Sequence, residues 1–278
     1  VFPPPGALAT AQDRCNEKTV FEAAGIPVAP WRTVDGREEL EAACRDIGLP
    51  LIVKTRRLGY DGKGQRRVLG EADIPAVWEA LGGVPLLAER LVEFEREVSI
   101  IGSRGADGAL ACYPLTENVH RGGILDTSRA PAADALLQSL AEDHLRALTE
   151  RLDYRGTIAV EFFVSGGRLL GNEFAPRVHN SGHWTIEGAA CSQFENHLRT
   201  ICGLPAGACR PRGHAGMLNL IGTMPAVDGV LAVADAHLHD YCKSPRPGRK
   251  LGHVTIVADT PAERDRRLGE VRALVARH

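Results

Sequence analysis

Residues 157–174 read TIAVEFFVSGGRLLGNEF, in which two apolar runs flank a short segment of small residues. The runs Thr157 to Val164 and Arg168 to Phe174 are rich in Val, Ile, Leu and Phe, a composition that favours β-strands. Ser165-Gly166-Gly167 between them is typical of a tight turn, because glycine adopts the positive φ angles that hairpin turns need. The stretch therefore predicts an antiparallel β-hairpin.

A hairpin centred on Gly167 places Glu161 directly opposite Glu173, with Cβ atoms about 4.5–5.5 Å apart. Like charges at that distance repel each other, and a divalent cation relieves the repulsion; Mg²⁺ is favoured where phosphate oxygens complete its octahedron. Two alternatives are an exposed pair that water solvates and a pair that shares a proton for acid–base catalysis. The apolar neighbours Val160 and Phe162 favour a metal site on a largely apolar sheet.

Outside the hairpin, strand-like and helical patterns mix without strict alternation, which predicts an α+β fold with mainly antiparallel sheets. Strands are predicted at 51–55, 66–69, 86–89, 97–103 and 109–115, and helices at 10–24, from about 37, at 75–81, 131–152, 191–201 and 261–277. The helix 131–152 is predicted to bury one leucine stripe, formed by Leu136, Leu137, Leu140, Leu145, Leu148 and Leu152.

Composition narrows the class of protein. The 278 residues suggest about two compact units. Lys and Arg number 33 against 35 Asp and Glu, a net charge of −2, so nothing in the overall charge favours nucleic acid or an anionic membrane. No apolar run approaches the roughly 20 residues that a membrane span needs. Seven cysteines without a C-x-x-C motif indicate a reduced, cytoplasmic chain rather than a disulfide scaffold or a zinc site.

A glycine-rich segment, RRLGYDGKGQ at residues 56–65, lies between two predicted strands. Gly59, Gly62 and Gly64 allow backbone N–H groups to approach a polyanion closely, and Lys63 adds a positive charge. The segment differs from a Walker loop, since no Ser or Thr follows the lysine and a strand, not a helix, comes next. It predicts a flap over phosphates; an ordinary glycine turn in a long hairpin is the alternative.

Charged residues border the same region. Lys54 ends an apolar strand, where it needs an anionic partner such as a nucleotide phosphate, or a route by which its ammonium group reaches water. Glu89 and Glu97 bracket Leu91 and Phe94, so they could accept hydrogen bonds from ribose or amine groups beside an apolar slot for a purine. Surface carboxylates are the alternative for both.

Two later segments are rich in polar groups. Residues 172–185 read NEFAPRVHNSGHWT, a composition typical of a binding loop; zinc is disfavoured there because Asn-Ser-Gly interrupts a helix between His179 and His183. Residues 243–253 place four cations in a Pro/Gly-rich loop, which suits a phosphomonoester. A solvated basic loop and a targeting signal are the alternatives.

Together these motifs resemble the ATP-grasp superfamily and, within it, the N5-carboxyaminoimidazole ribonucleotide synthetase family of purine biosynthesis. The resemblance covers essentially the whole chain and rests on Gln12-Asp13-Arg14 with Glu17-Lys18, residues 59–65, Tyr113–Asn118, residues 172–185 and residues 246–253. It implies an ATP-grasp fold in which two α+β subdomains clasp the nucleotide. The implied divisions are an N-terminal helical region (1–25), a small lid subdomain with the flap (26–94) and a large subdomain (95–278).

The resemblance also implies roles for individual residues. ATP would be held by Arg14, Lys54, Gly59, Tyr60, Asp61, Gly62, Lys63, Gly64, Gln65, Glu89, Arg90, Leu91, Val92, Glu97, His120, Asn172 and Glu173. Mg²⁺ or Mn²⁺ would be held by Glu161 and Glu173. The implied catalytic residues, which organise bicarbonate and carboxyphosphate, are Tyr60, Asp61, Lys63 and Arg177. The phosphate of aminoimidazole ribonucleotide would be held by Arg246, Arg249 and Lys250.

The implied activity is that of a ligase that carboxylates 5-aminoimidazole ribonucleotide with bicarbonate and ATP, in a homodimer. The alternatives are another ATP-grasp ligase, such as a formate-dependent transformylase, and a non-catalytic ATP-binding module. Tyr60-Asp61 in the flap disfavours the transformylase, and Lys63 stands where many relatives carry Arg. Family members begin with a dinucleotide-fold domain that supplies part of the ribonucleotide site, so such a domain is expected before residue 1.

Overall fold

The protein is represented by a computed structural model that describes residues 1–59 and 62–276. The smaller of two sheets has four antiparallel strands in the order β1-β4-β2-β3: β1 is Trp31–Val34, β2 Leu51–Thr55, β3 Gln65–Val68 and β4 Leu86–Arg90. Helices α3 (Arg37–Ile47) and α4 (Ile74–Ala80) pack against it. Their apolar sides enclose a core that includes Leu40, Leu51 and Leu86, each fully buried.

The larger sheet has nine strands, in the order β10-β9-β5-β7-β8-β11-β13-β12 with β6 paired to β5. The strands are β5 Arg96–Arg104, β6 Leu110–Cys112, β7 Thr116–Arg121, β8 Ile124–Ala130, β9 Gly156–Ser165, β10 Arg168–Ala175, β11 His214–Ile221, β12 Ala236–Asp240 and β13 Lys250–Ala258. Every strand pair in the described ranges is antiparallel. The predicted α+β class with antiparallel sheets is confirmed.

Helices cover both faces of the larger sheet. Helices α1 (Pro5–Ala11), α2 (Arg14–Ala23) and α5 (Ala135–Arg151) bury one face, in a core with Phe162 and Phe174. On the opposite face lie α6 (Thr185–Gly188) and α7 (Gln193–Ile201), while α8 (Val227–Leu231) and α9 (Pro261–Val275) pack near β11 to β13. None of the helices in the described ranges has the length and apolar character that a membrane span needs.

Several predicted elements need correction. The helix predicted over 10–24 is two helices, because Asp13 begins α2 by accepting hydrogen bonds from the N–H groups of Cys15 and Asn16. The strand predicted over 109–115 extends only from Leu110 to Cys112, and Pro114 follows shortly after. Strands β7 and β8 were not predicted at all. The domain bounds 1–25, 26–94 and 95–278 stay a prediction; the sheets themselves change over between β4 and β5.

The leucine stripe of α5 is partly confirmed. Leu137, Leu145 and Leu148 are buried in the core beneath the larger sheet. Leu136 is 69% exposed, so its assignment to the core was wrong. Successive side chains on a helix are turned by about 100°, and Leu136 precedes the buried Leu137 by one position.

An ion pair ties the last helix to the larger sheet. Arg272 of α9 donates to both carboxylate oxygens of Asp126 on β8, at 3.1 and 2.6 Å, and to Thr127 Oγ1 at 2.6 Å. Burial alone would raise the pKa of Asp126, which is 7% exposed, but the hydrogen bonds from Arg272 and Thr127 lower it below its ordinary value. A carboxylate with a lowered pKa stabilises the fold above its unfolded pKa and loses that contribution as the pH falls through the folded one.

We expect Arg272→Met to lower the free energy of unfolding by about 1–3 kcal/mol at pH 7, because it leaves a buried carboxylate with fewer donors. The difference from the unsubstituted protein should shrink at a pH below the lowered pKa of Asp126, where that carboxylate is protonated. Urea unfolding at the two pH values measures both effects. Arg266→Met is the matched control, since the exposed Arg266–Glu270 pair of the same helix contributes little; equal losses in the two variants would contradict the assignment.

Candidate active site

A cavity of about 760 Å³ lies between the two sheets, a volume typical of sites for cofactors and nucleotides. Helices α1 and α2, strand β2 and the glycine-rich flap line one side. Strands β5, β7, β9 and β10 line the other. The predicted site residues that line it are Arg14, Lys54, Gly59, Gly62, Gln65, Glu97, His120, Glu161, Asn172, Glu173, Arg177 and Lys250.

The hairpin places Glu173 of β10 opposite Glu161 of β9, as predicted, but by a different route. The turn is a two-residue loop of Gly166 and Gly167, both with positive φ angles of 56° and 71°, and the strands pair one residue out of the expected register beside it. Asn172 is an extra residue in β10, a β-bulge that corrects the register. Both Asn172 and Glu173 consequently line the cavity.

Three carboxylates and one imidazole concentrate charge at this wall. Burial and the neighbouring Glu173 raise the pKa of Glu161. Glu97 Oε2 lies 2.7 Å from His120 Nδ1. Burial alone would lower the pKa of His120, but the hydrogen bond to Glu97 and the nearby charges of Glu161 and Glu173 raise it overall. The raised pKa of Glu161 reflects repulsion between facing carboxylates, which a bound cation would relieve.

The donor set fits a divalent ion that shares its coordination with a ligand. Glu161 and Glu173 face each other and offer only carboxylate oxygens, the ligands of Mg²⁺. No group of three or more His, Cys, Asp or Glu side chains able to hold a metal ion occurs among residues 1–59 and 62–276. Two carboxylates supply part of an octahedral shell, so phosphate oxygens and water would complete it.

A buried imidazole lies beside Glu161, a contact that the sequence analysis did not predict. His179 Nε2 lies 3.5 Å from Glu161 Oε1, while its Nδ1 accepts from the N–H of Ser181. Burial, with the charge of Arg177 second, lowers the pKa of His179 to about 3. The ring is neutral near pH 7, so its Nε2–H faces the carboxylate. The hydroxyl of Ser181 is in turn hydrogen-bonded to that of Ser99 at 2.8 Å.

The start of α2 connects the flap to the carboxylates. Asp13, which caps α2, also accepts from Arg56 at 2.8 Å and from Arg57 at 3.2 Å, both at the base of the flap. Arg14 donates to the carbonyl of Gly59 at 3.5 Å and lies 3.6 Å from Glu173 Oε2. The Gln-Asp-Arg motif thus fixes the flap base beside the wall that carries Glu173.

Two glycines of the flap occupy positions where any other residue would be strained. Gly62 has φ 74°, and a Cβ there would lie 3.2 Å from Gly123 Cα in the β7–β8 turn. Gly64 has φ 71°, and a Cβ there would meet Thr55 Oγ1 at 2.7 Å. The flap therefore packs on β2 at its base and on the β7–β8 turn further out. Tyr60 and Asp61, two of the predicted catalytic residues, lie outside the described residues.

Comparisons with known proteins agree with this geometry. The ATP-grasp domain model matches residues 19–194, and the phosphoribosylaminoimidazole carboxylase C-terminal domain model matches residues 215–267. An N5-carboxyaminoimidazole ribonucleotide synthase of Pseudomonas aeruginosa is 48% identical over 275 residues, which are 99% of this chain and 76% of that protein. The Escherichia coli protein of the same name is 42% identical over 264 residues, 95% and 73% of the two chains.

Solved structures give the same result. The crystal structure of N5-carboxyaminoimidazole ribonucleotide synthetase from Thermus thermophilus matches with a TM-score of 0.94 and 49% identity, covering 99% of this chain and 75% of that one. The synthase from Aspergillus clavatus, solved with ADP and 5-aminoimidazole ribonucleotide, matches with a TM-score of 0.91 and 33% identity, covering 99% and 76%. The chain belongs to the N5-carboxyaminoimidazole ribonucleotide synthase family of ATP-grasp ligases.

In this synthase-family chain, the environment of Glu89 differs from the one that the sequence suggested. It is 3% exposed, so the surface alternative is wrong, and it contacts Lys54 of β2 and lies 3.0 Å from Lys18 of α2. Burial opposes ionisation, but the charges of Lys54 and Lys18 lower the pKa of Glu89 to about 2. The anionic partner that Lys54 requires is thus supplied by the protein itself.

The basic loop that was predicted to hold a phosphomonoester is only partly at the cavity. Lys250, at the start of β13, lines the cavity, whereas Arg246 and Arg249 do not. Arg249 instead donates to the carbonyl of Ser244 at 3.2 Å, within the loop. The other predicted residues that lie outside the lining are Lys63, Gly64, Glu89, Arg90, Leu91 and Val92. Their contact with nucleotide stays a prediction.

We expect Gly64→Ala to weaken ATP binding about tenfold and to destabilise the fold by about 1–3 kcal/mol, because alanine would combine a positive φ with a clash against Thr55. Calorimetric titration with Mg·ATP and urea unfolding measure the two effects. Gly70→Ala is the matched control, since its Cβ would meet nothing within 4 Å. Indistinguishable ATP affinities in the two variants would show that the flap base does not constrain the site.

Proposed function

We propose that this chain catalyses the ATP-dependent carboxylation of 5-aminoimidazole ribonucleotide with bicarbonate, in purine biosynthesis. The products are N5-carboxyaminoimidazole ribonucleotide, ADP and phosphate. The proposal rests mainly on one observation. Glu161 and Glu173 face each other at a cavity that the glycine-rich flap also lines, in a chain that belongs to the synthase family. The Aspergillus clavatus relative, solved with ADP and the ribonucleotide, supports the substrate assignment.

In the first step, a bicarbonate oxygen attacks the γ-phosphorus of ATP, the bond from phosphorus to the bridging oxygen breaks, and ADP leaves. Carboxyphosphate forms. Lys54, Lys63 and Arg177 would neutralise charge on the transferring phosphoryl group, and Arg14 would hold the nucleotide beside the flap. Mg²⁺ or Mn²⁺ between Glu161 and Glu173 would supply further charge neutralisation at the phosphates.

In the second step, the 5-amino nitrogen attacks the carboxyl carbon of carboxyphosphate, inorganic phosphate leaves and the amine loses a proton. Carboxyphosphate is labile in water, so the flap would act by covering the cavity during the transfer. Tyr60 and Asp61, which lie outside the described residues, would organise bicarbonate. Lys250, with Arg246 and Arg249, would hold the phosphate of the ribonucleotide.

We also propose a cytoplasmic homodimer that binds neither nucleic acid nor membrane. All seven cysteines of the described chain are free thiols, which agrees with a reducing compartment. The net charge of −2 argues against nucleic acid. The dimer rests on the resemblance to the family.

ADP release that depends on both bicarbonate and aminoimidazole ribonucleotide tests the activity directly. Formation of the N5-carboxylated product, followed with ¹³C-labelled bicarbonate, is the expected result. Dependence on formate in place of bicarbonate would favour a transformylase. ATP binding without turnover under any of these conditions would favour a non-catalytic ATP-binding module.

We expect Glu173→Gln to weaken Mg·ATP binding and to reduce turnover by at least about a hundredfold, because one of two facing carboxylates is removed. The thermal stability of the protein without nucleotide should hold or rise, since the substitution relieves a like-charge repulsion. Calorimetry and thermal unfolding measure the two effects. Glu270→Gln, an exposed carboxylate on α9, is the control; unchanged turnover in Glu173→Gln would remove the metal site from the proposal.

We expect Lys250→Ala to raise the KM for the ribonucleotide by about 10–100-fold while the affinity for ATP stays within about twofold, because a charge-assisted contact to the phosphomonoester is lost. Lys243→Ala is the control from the same loop, since Lys243 lies 4.9 Å over the ring of Tyr241 and does not line the cavity. Steady-state kinetics with each substrate varied separate the two constants. A parallel rise in both would place Lys250 at the nucleotide instead.

A further inference from the structure

The bulge in β10 decides which way Glu173 faces. Beside the turn, Gly171 pairs with Phe162, and Leu169 packs into the core. After the extra residue Asn172, it is Phe174 that packs into that core. Continued without the extra residue, the register at the turn would pair Glu173 with Val160, a core residue, and would turn the carboxylate away from the cavity.

Two consecutive residues of α2 contact the bulge on either side of Glu173. Lys18 Nζ donates to the carbonyls of Gly171 and Asn172, at 3.1 Å each. Glu17 Oε1 accepts from the N–H of Phe174 at 2.6 Å. Glu17 and Lys18 are each 3% exposed. Strand β10 is at the edge of the larger sheet, so its backbone groups that point away from β9 have no ladder partner, and a buried unpaired group costs about 1–3 kcal/mol. Glu17 and Lys18 supply partners for such groups at the bulge.

Packing alone does not require a carboxyl and an ammonium group at this position. An edge-to-face contact between Phe21 and Phe174, with centroids 5.7 Å apart, already joins α2 to β10. Buried polar side chains are costly unless they form hydrogen bonds. Here the bonds go to backbone atoms on either side of one functional side chain, Glu173. Lys18 bonds to the carbonyls of the two residues before it, and Glu17 bonds to the N–H of the residue after it.

We propose that Glu17 and Lys18 are positioning residues for Glu173: they hold the bulge of β10 in the register in which Glu173 faces Glu161. The inference deepens the proposed function and rests on it for the role of Glu173 toward Mg·ATP. The backbone contacts that it invokes belong to the fold itself.

The test compares two substitutions at one position. Glu17→Gln keeps an oxygen that can accept from Phe174 N–H, whereas Glu17→Met has a similar length and no acceptor of that kind. Hydrogen exchange of the Phe174 amide in the nucleotide-free protein reports on the bulge. Titration with Mn·ADP reports on the cavity that Glu173 and Glu17 both line, so a loss of affinity supports the proposal only together with lost protection at Phe174. We expect Glu17→Met to lose protection at Phe174 and to bind Mn·ADP at least about tenfold more weakly, and Glu17→Gln to keep both.

Leu148→Ala controls for loss of stability alone. Leu148 is fully buried on α5 in the same core, and its truncation should cost about 2–5 kcal/mol while leaving Mn·ADP affinity unchanged under conditions where the protein is folded. If Glu17→Met does not fold, Lys18→Met is titrated in its place, and exchange of the Phe174 amide is measured beside it because Lys18 also pairs with Glu89. A tenfold loss of affinity with lost protection at Phe174 supports the proposal, and unchanged affinity or retained protection overturns it.

The outcomes separate this inference from the proposed function. Retained protection at Phe174 in Glu17→Met would overturn the inference, and so would lost protection with unchanged Mn·ADP affinity. The proposed function fails on a different result, namely an unsubstituted protein that binds Mn·ADP but never carboxylates the ribonucleotide. In that case the exchange and titration data still decide whether Glu17 and Lys18 position Glu173 for nucleotide binding.

Discussion

Glu89 is a buried carboxylate between two buried ammonium groups, Lys54 and Lys18, and the rest of the site depends on that arrangement. The three residues come from β4, β2 and α2 and are 3%, 8% and 3% exposed. An ion that is buried without its partner is strongly destabilising, so this cluster favours the arrangement in which β4, β2 and α2 are together. The cavity lies where they meet, and its two sheets are fixed relative to α2 by the same charges.

Helix α2 concentrates most of these connections in a short segment. Asp13 binds the arginines at the base of the flap, and Arg14 reaches both the flap and Glu173. Glu17 and Lys18 contact the bulge of β10, and Lys18 also reaches Glu89. A single helix therefore sets the position of the flap, of one carboxylate and of the small sheet, which explains why a motif with little apolar content occurs where the chain enters the fold.

The hairpin could be predicted from local sequence, because its two apolar runs favour strands and the two glycines between them favour a turn. These local signals could not predict the bulge. The pairing of Glu161 with Glu173 was predicted correctly, but for the wrong reason. The prediction centred the turn on Gly167, half a residue too late, and the extra residue Asn172 offsets that error in the register.

Strands β7 and β8 were not predicted because their inward side chains are polar. Asn118 and Ser128 belong to a buried network, in which Asn118 bonds to Ser99 at 2.9 Å and to Ser128 at 2.8 Å. Buried strands with satisfied polar groups do not show the apolar alternation that identifies a strand.

The polar network around Ser99 extends through Ser181 to His179, which lies beside Glu161. It therefore affects the protonation of the carboxylates that line the cavity. Glu161 has a raised pKa because burial and Glu173 outweigh the charges of His120 and Lys250, and the imidazole of His179, 3.5 Å away, is neutral near pH 7. A permanent positive charge at that position would neutralise Glu161 and reduce the attraction for an incoming cation. A neutral imidazole leaves the repulsion between Glu161 and Glu173 in place, and a cation bound at the wall would lower the pKa of Glu161. The electrostatics of the wall are therefore those of a site completed by its ligand, in contrast to Glu89, whose charge the fold already neutralises with two lysines.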